Sequence, residues 1–207
     1  MIKAGDILLV DTLTPLGLAI KAVLSTDKRK CHHSHDAVVF EEAGRLMVYN
    51  PRIPLSKNYD LYNYLGHLSQ RGKRWCIVRP QLLADFDARD PHMSKLFREN
   101  LSHDCQLMEG NAYSFGDLIV IFKRRYGIHW FFPWLKKNKK AQFYCTEAVK
   151  RLFADNLAWS WEPSELGCEF PAPIHVEYMC ENGTVKLVEE SNPGYFGELC
   201  GKETPKK

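Results

Sequence analysis

Ser34-His35-Asp36-Ala37-Val38-Val39-Phe40 leads through Glu41-Glu42-Ala43-Gly44 into Arg45-Leu46-Met47-Val48-Tyr49-Asn50, which stops at Pro51. The apolar run from Asp36 to Phe40 predicts a strand, Gly44 a turn, and Arg45 to Tyr49 the antiparallel partner. Asn50-Pro51 and Pro54 end that partner. Such a hairpin returns Asn50 toward His35. An imidazole at a strand edge can serve as a base when a third group fixes its tautomer. His35 is therefore a candidate base and Asn50 its candidate orienting residue. Asn50 also reads as an ordinary strand end, and Glu41 and Glu42 are nearby substitutes for the third role.

Working outward, Gly5-Asp6 precedes Ile7-Leu8-Leu9-Val10, a short buried strand. Pro15 to Leu24 carries apolar residues at 16, 19, 20, 23 and 24, which is helical spacing. Ser25 to Ser34 is polar and basic and reads as a loop. Trp75 to Val78 is a strand stopped by Pro80. Pro91 to Met108 is a helix with Met93, Leu96, Phe97, Leu101 and Cys105 on one side. Phe115 to Phe122 is an apolar helix or a buried strand. Cys145 to Leu157 is a helix on which Cys145, Ala148, Val149 and Leu152 share a face. Ile174 to Met179 and Thr184 to Val188 are strand-like. The expected fold is α+β, a small antiparallel sheet packed with helices, in a single domain over 1–207 whose end, 201–207, is a polar, frayed tail.

Cys145 begins its helix, where free backbone N–H groups and the positive dipole end favour a thiolate and hold an oxyanion. No Ser, Thr, Asp or Asn precedes it to occupy those groups as a cap. Glu147 in the same turn works against the thiolate. The plain alternative is a buried Cys at a helix start.

The chain has 207 residues, 45% hydrophobic and 26% charged, an ordinary globular balance. No stretch approaches the roughly 20 apolar residues of a membrane-spanning helix. The acid at position 6 and the lack of an uninterrupted apolar core read against a secretory signal, so a cytoplasmic location is expected. The seven cysteines are odd in number and none forms a C-x-x-C pair, which argues against a disulfide framework and a classical zinc knuckle. Between Asp117 and Glu147 there is no acid, but Lys123, Arg124, Arg125, Lys136, Lys137, Lys139 and Lys140 are all basic. With a net charge of only +3, this is a local docking zone rather than general nucleic-acid affinity.

Together these motifs resemble the permuted branch of the NlpC-type papain-like superfamily, the YiiX/YebB-like group. Gly5-Asp6-Ile7-Leu8 resembles its opening strand. Leu18-Ala19-Ile20-Lys21 and then Ser34-His35-Asp36-Ala37-Val38-Val39 resemble its helix and Ser-His strand. Val48-Tyr49-Asn50 resembles the strand that completes the triad. Tyr113-Ser114-Phe115 resembles the aromatic segment before the nucleophile. Phe143-Tyr144-Cys145-Thr146-Glu147 resembles the Tyr-Cys-Ser-Glu nucleophile motif, with Thr for Ser, and Pro163-Ser164-Glu165-Leu166 the closing stretch. The resemblance covers roughly residues 3 to 170. It implies a permuted papain-like fold with Cys145 as nucleophile, His35 as base and Asn50 as orienting residue. Many relatives carry an acid where Asn50 stands. Acyl transfer through a thioester follows, with no cofactor.

The resemblance leaves the substrate open. An amide bond in a peptide, a peptidoglycan stem or an isopeptide is one reading. A lipid or other acyl ester, hydrolysed or transferred, is the second. A degenerate domain that only binds a partner is the third. Tyr126, Trp130, Phe131, Phe132 and Trp134, set between basic clusters, either close over the protein's own core or form a membrane-surface contact through 123–140. Tyr144, Trp130 and Trp134 are the expected substrate-binding residues. The expected cytoplasmic location would also suit a phage-borne or injected protein. Cys31-His32-His33-Ser34-His35 crowds its donors into five positions, with His33 and His35 expected on one strand face, and lacks a second ligand cluster, so no metal is expected. Ser102-His103-Asp104 points three ways from a helix and reads as exposed surface.

Overall fold

The turn at Ala43-Gly44 has positive φ at both residues, 49° and 75°, and joins paired Glu42 and Arg45. Two left-handed residues give the turn a twist that matches the strands beside it. The computed structural model describes residues 1–25, 30–52, 54–112, 145–157 and 173–200. The expectations for Tyr113 to Phe122, Lys123 to Lys140, Tyr144, Pro163 to Leu166 and the tail fall outside these residues.

The strands are β1 (Ile7–Asp11), β2 (His35–Glu42), β3 (Arg45–Asn50), β4 (Lys57–Asp60), β5 (Arg74–Pro80) and β6 (Val185–Glu190). They form one antiparallel sheet in the order β4-β3-β2-β1-β5-β6. The helices are α1 (Pro15–Leu24), α2 (Leu61–Gln70), α3 (Gln81–Arg89), α4 (Pro91–Leu107), α5 (Cys145–Leu157), α6 (Pro173–Glu181) and α7 (Tyr195–Leu199). The chain is thus α+β. No helix among the described residues is long and apolar enough to cross a membrane.

Every residue of β1 is buried because both sheet faces are covered. Strand β2 divides its side chains between the two faces. Val38 and Phe40 join a core with Phe97 and Leu101 of α4, Val149 and Phe153 of α5, and Met179 of α6. Ala37 and Val39 join a second core with Leu61, Leu65 and Leu68 of α2. The sequence reading passed over α2, although those leucines recur at i, i+4 and i+7, and it passed over β4, α3 and α7.

Caps explain where the helices begin. The Thr14 side chain accepts from Gly17 N at 3.1 Å with Pro15 in the first turn, and Asp90 accepts from Met93 N at 3.1 Å ahead of Pro91. Gly17 is required by close approach: a Cβ there would collide with Thr12, whose N–H donates to Ser34 Oγ at 3.1 Å. The entry into β2 is held by that contact.

Three expectations need correction. Ile174 to Met179 is helical, within α6, because His175 and Glu177 fill the polar slots of an apparent alternation yet are buried. The buried face of α4 is Ser94, Phe97, Leu101, Ser102 and Cys105, while Met93 and Leu96 are exposed. Ser102 is therefore no surface residue; its Oγ accepts from Glu41 N at 3.1 Å.

Phe153 is fully buried and tilts against Phe97 with ring centroids 5.8 Å apart, whereas Leu18 is exposed. Phe153→Ala is expected to lower unfolding stability by about 3–5 kcal/mol, and Leu18→Ala by less than about 0.5 kcal/mol. Urea denaturation measures both.

Candidate active site

The hairpin register sets the first pair. His35 opens β2 and Asn50 closes β3, so both lie at one end of the sheet. His35 Nε2 lies 2.7 Å from Asn50 Oδ1, and Asn50 Nδ2 donates to Tyr64 Oη at 2.9 Å. An amide oxygen only accepts, so Nε2 carries the proton, and a neutral ring then leaves Nδ1 with its lone pair. Tyr64 fixes the amide orientation that makes this tautomer the favoured one. Burial lowers the pKa of His35 below its ordinary 6.5, against the opposing pull of the Asn50 bond, and so keeps the imidazole neutral. Glu41 and Glu42 are exposed at the far end of β2, beside the turn. Tyr64 was not singled out from the sequence; the leucine spacing of α2 was the available signal.

Cys145 heads α5 and is buried. Its sulfur lies 3.9 Å from Thr146 Oγ1 and against the backbone N–H of Asp36, the residue after His35. No hydrogen bond between the sulfur and the His35 ring occurs among the described residues. The thiol is pushed up to about 11, first by burial and then by the Asp36 carboxylate. Burial and a nearby anion thus oppose the thiolate that the helix terminus favours.

Asp36 joins the helix to the strand. Its Oδ2 accepts a short hydrogen bond from Thr146 Oγ1, and its Oδ1 lies 2.6 Å from His33 Nε2. His33 Nδ1 in turn lies 2.7 Å from Glu177 Oε1 on α6. Asp36, His33 and Glu177 are fully buried. The pKa of His33 is raised to about 10: burial opposes the charge, but the two carboxylates prevail. His33 precedes β2 and has partners different from those of His35, so the two do not share a strand face as expected. Cys31 Sγ, His33 and Glu177 present donor atoms within 4.8 Å of one another, and Glu177 is the distant partner that the crowded His run lacked in the sequence reading. None of the six cysteines among the described residues forms a disulfide. Tyr144, Trp130 and Trp134 lie outside the described residues.

Neither a family model nor a curated protein sequence matches the chain. Among solved structures, the chain is similar to the metalloprotein YiiX from Escherichia coli O157:H7, a protein of the DUF1105 group. Identity is 14%, the match covers 92% of this chain and 98% of that one, and the TM-score is 0.55. At this identity the likeness concerns the fold: the chain has a YiiX-like α+β fold.

A thiol that ionises near 11 reacts slowly at neutral pH. Alkylation of Cys145 by iodoacetamide, followed by peptide mapping, is expected to accelerate as pH rises above 9.0 toward 11. A plateau reached below pH 8 would mean that the thiolate is stabilised after all.

Proposed function

We propose that the chain is a permuted papain-like cysteine hydrolase of the NlpC type, with Cys145 as nucleophile, His35 as base and Asn50 as the residue that orients the base. The observation that carries this reading is the 2.7 Å bond from His35 to Asn50, made next to the strand position against which the Cys145 sulfur lies.

The chemistry follows from the protonation states. Thiol and imidazole both start neutral, so His35 acts by general-base catalysis rather than through a standing ion pair. Nδ1 takes the Cys145 proton as sulfur attacks the acyl carbon. The carbonyl oxygen becomes an oxyanion, stabilised by backbone N–H groups in the first turn of α5. Collapse expels the leaving amine, which takes the proton from His35, and a thioester remains. Water then attacks the thioester with His35 as base, which releases the acid and restores the thiol.

The preferred substrate is an amide bond, in a peptide, a peptidoglycan stem peptide or an isopeptide. A second reading, a lipid or acyl ester hydrolysed or transferred, is favoured by the composition of 123–140, where aromatic residues sit between two basic clusters without an acid. A domain that only binds a partner is opposed by the retained Cys145, His35 and Asn50 set.

Turnover of peptide amide and acyl-ester substrates is the direct test. Cys145→Ala and His35→Ala are expected to abolish it, and Asn50→Ala to reduce kcat by about 10- to 100-fold with the fold intact. Full activity in Cys145→Ala would overturn the assignment.

The same substrates distinguish the two readings. On anionic vesicles, ester turnover is expected to fall with added salt, since charge attraction is screened over about 8–10 Å. Trp130→Ala combined with Trp134→Ala should weaken that activity and spare a small soluble ester. Equal loss on both substrates would count against a surface-docking role for those residues.

A further inference from the structure

Cys31, His33 and Glu177 form a buried group that the proposed hydrolytic chemistry does not use. We propose that these three side chains constitute a binding site for a borderline transition-metal ion, Zn2+ in the first instance.

The donor set is mixed: one sulfur, one imidazole nitrogen and one carboxylate, all within 4.8 Å of one another. A thiolate with an imidazole selects zinc-like ions over calcium or magnesium, which prefer oxygen alone. Spacing favours convergence rather than chance adjacency. Cys31 Sγ lies 3.7 Å from Glu177 Oε1, and that oxygen also accepts from the backbone N–H groups of His32 and His33 at 2.6 and 2.8 Å. The backbone therefore fixes the carboxylate beside the sulfur and the ring.

Two further features point to a ligand. Glu177 Oε2 is buried without a hydrogen-bond partner, although the residue is wholly inaccessible. A buried carboxylate oxygen with no donor is costly, and a cation would satisfy it. On the other side of the ring, His33 Nε2 lies 2.6 Å from Asp36 Oδ1. A carboxylate on the far nitrogen is the arrangement that orients a metal-bound imidazole and raises its basicity.

Binding would replace the Cys31 thiol proton and the His33 Nδ1 proton by bonds to the ion, and both protons would pass to solvent. No electron is transferred. The three donors leave the fourth position of a tetrahedral ion to Glu177 Oε2 or to water. The ion would tie the segment before β2 to α6, and through Asp36 and Thr146 to the head of α5. None of this depends on the hydrolase reading.

The test uses the full chain, stripped with a chelator and titrated with Zn2+ by calorimetry and with Co2+ by absorption. One ion per chain is expected, with a thiolate-to-Co2+ charge-transfer band in the near ultraviolet. Cys31→Ser should remove the band, and Glu177→Gln should weaken Zn2+ affinity by about tenfold or more. Cys145→Ser should change neither. Circular dichroism of the metal-free variants verifies that they fold. X-ray absorption of the zinc-loaded wild type gives a second readout, with one sulfur expected at about 2.3 Å and lighter donors near 2.0–2.1 Å. Absence of stoichiometric binding, a zinc shell without sulfur, or a band that survives Cys31→Ser and disappears in Cys145→Ser would overturn the proposal.

Discussion

The arrangement depends on the buried carboxylate of Asp36. It is fully inaccessible, and stripping water from such a group costs several kcal/mol unless donors replace it. The donors come from Thr146 and His33, one on each oxygen. Because Thr146 is the second residue of α5, the carboxylate fixes the head of that helix against β2, beside the residue that precedes it, His35. A Thr where the resembling motif has Ser keeps the hydroxyl, and the hydroxyl is the part that bonds. Burial first, and then this same charge, lift the Cys145 thiol, so the group that positions the sulfur also opposes its ionisation.

The two faces of the sheet divide the work. On one, α2 supplies Tyr64 to a chain of hydrogen bonds ending at His35. On the other, α4, α5 and α6 pack on Val38 and Phe40. Alternation along β2 lets one strand serve both. His35 is fixed from the α2 side, and Asp36, next in sequence, receives the helix from the opposite side.

What the sequence made legible follows from the range of the forces involved. The hairpin and α5 are written in local periodicity, and their limits are close to those read from the residues. The position of Asn50 beside His35 follows from hairpin register alone. Helix α6 was misread because His175 and Glu177 sit where an alternating strand would carry exposed polar groups, and only tertiary packing reveals that both are buried. Tyr64 escaped because α2 shows three leucines in a polar background, and nothing local marks a hydroxyl that will meet an amide on β3. The state of the Cys145 thiol was likewise illegible: the helix terminus is a local feature, but the opposing carboxylate is 109 positions away in sequence numbering.

Those separations order the assembly of the molecule. His35 and Asn50 are 15 residues apart, whereas Asp36 and Thr146 are 110 apart and His33 and Glu177 are 144 apart. Closing the 110-residue loop rather than the 15-residue one costs about 1.8 kcal/mol more in chain entropy. The hairpin can therefore form while the chain is still open, and the sulfur reaches β2 only when the long loop closes. A partly folded chain therefore holds an oriented imidazole before the Cys145 sulfur reaches the Asp36 backbone.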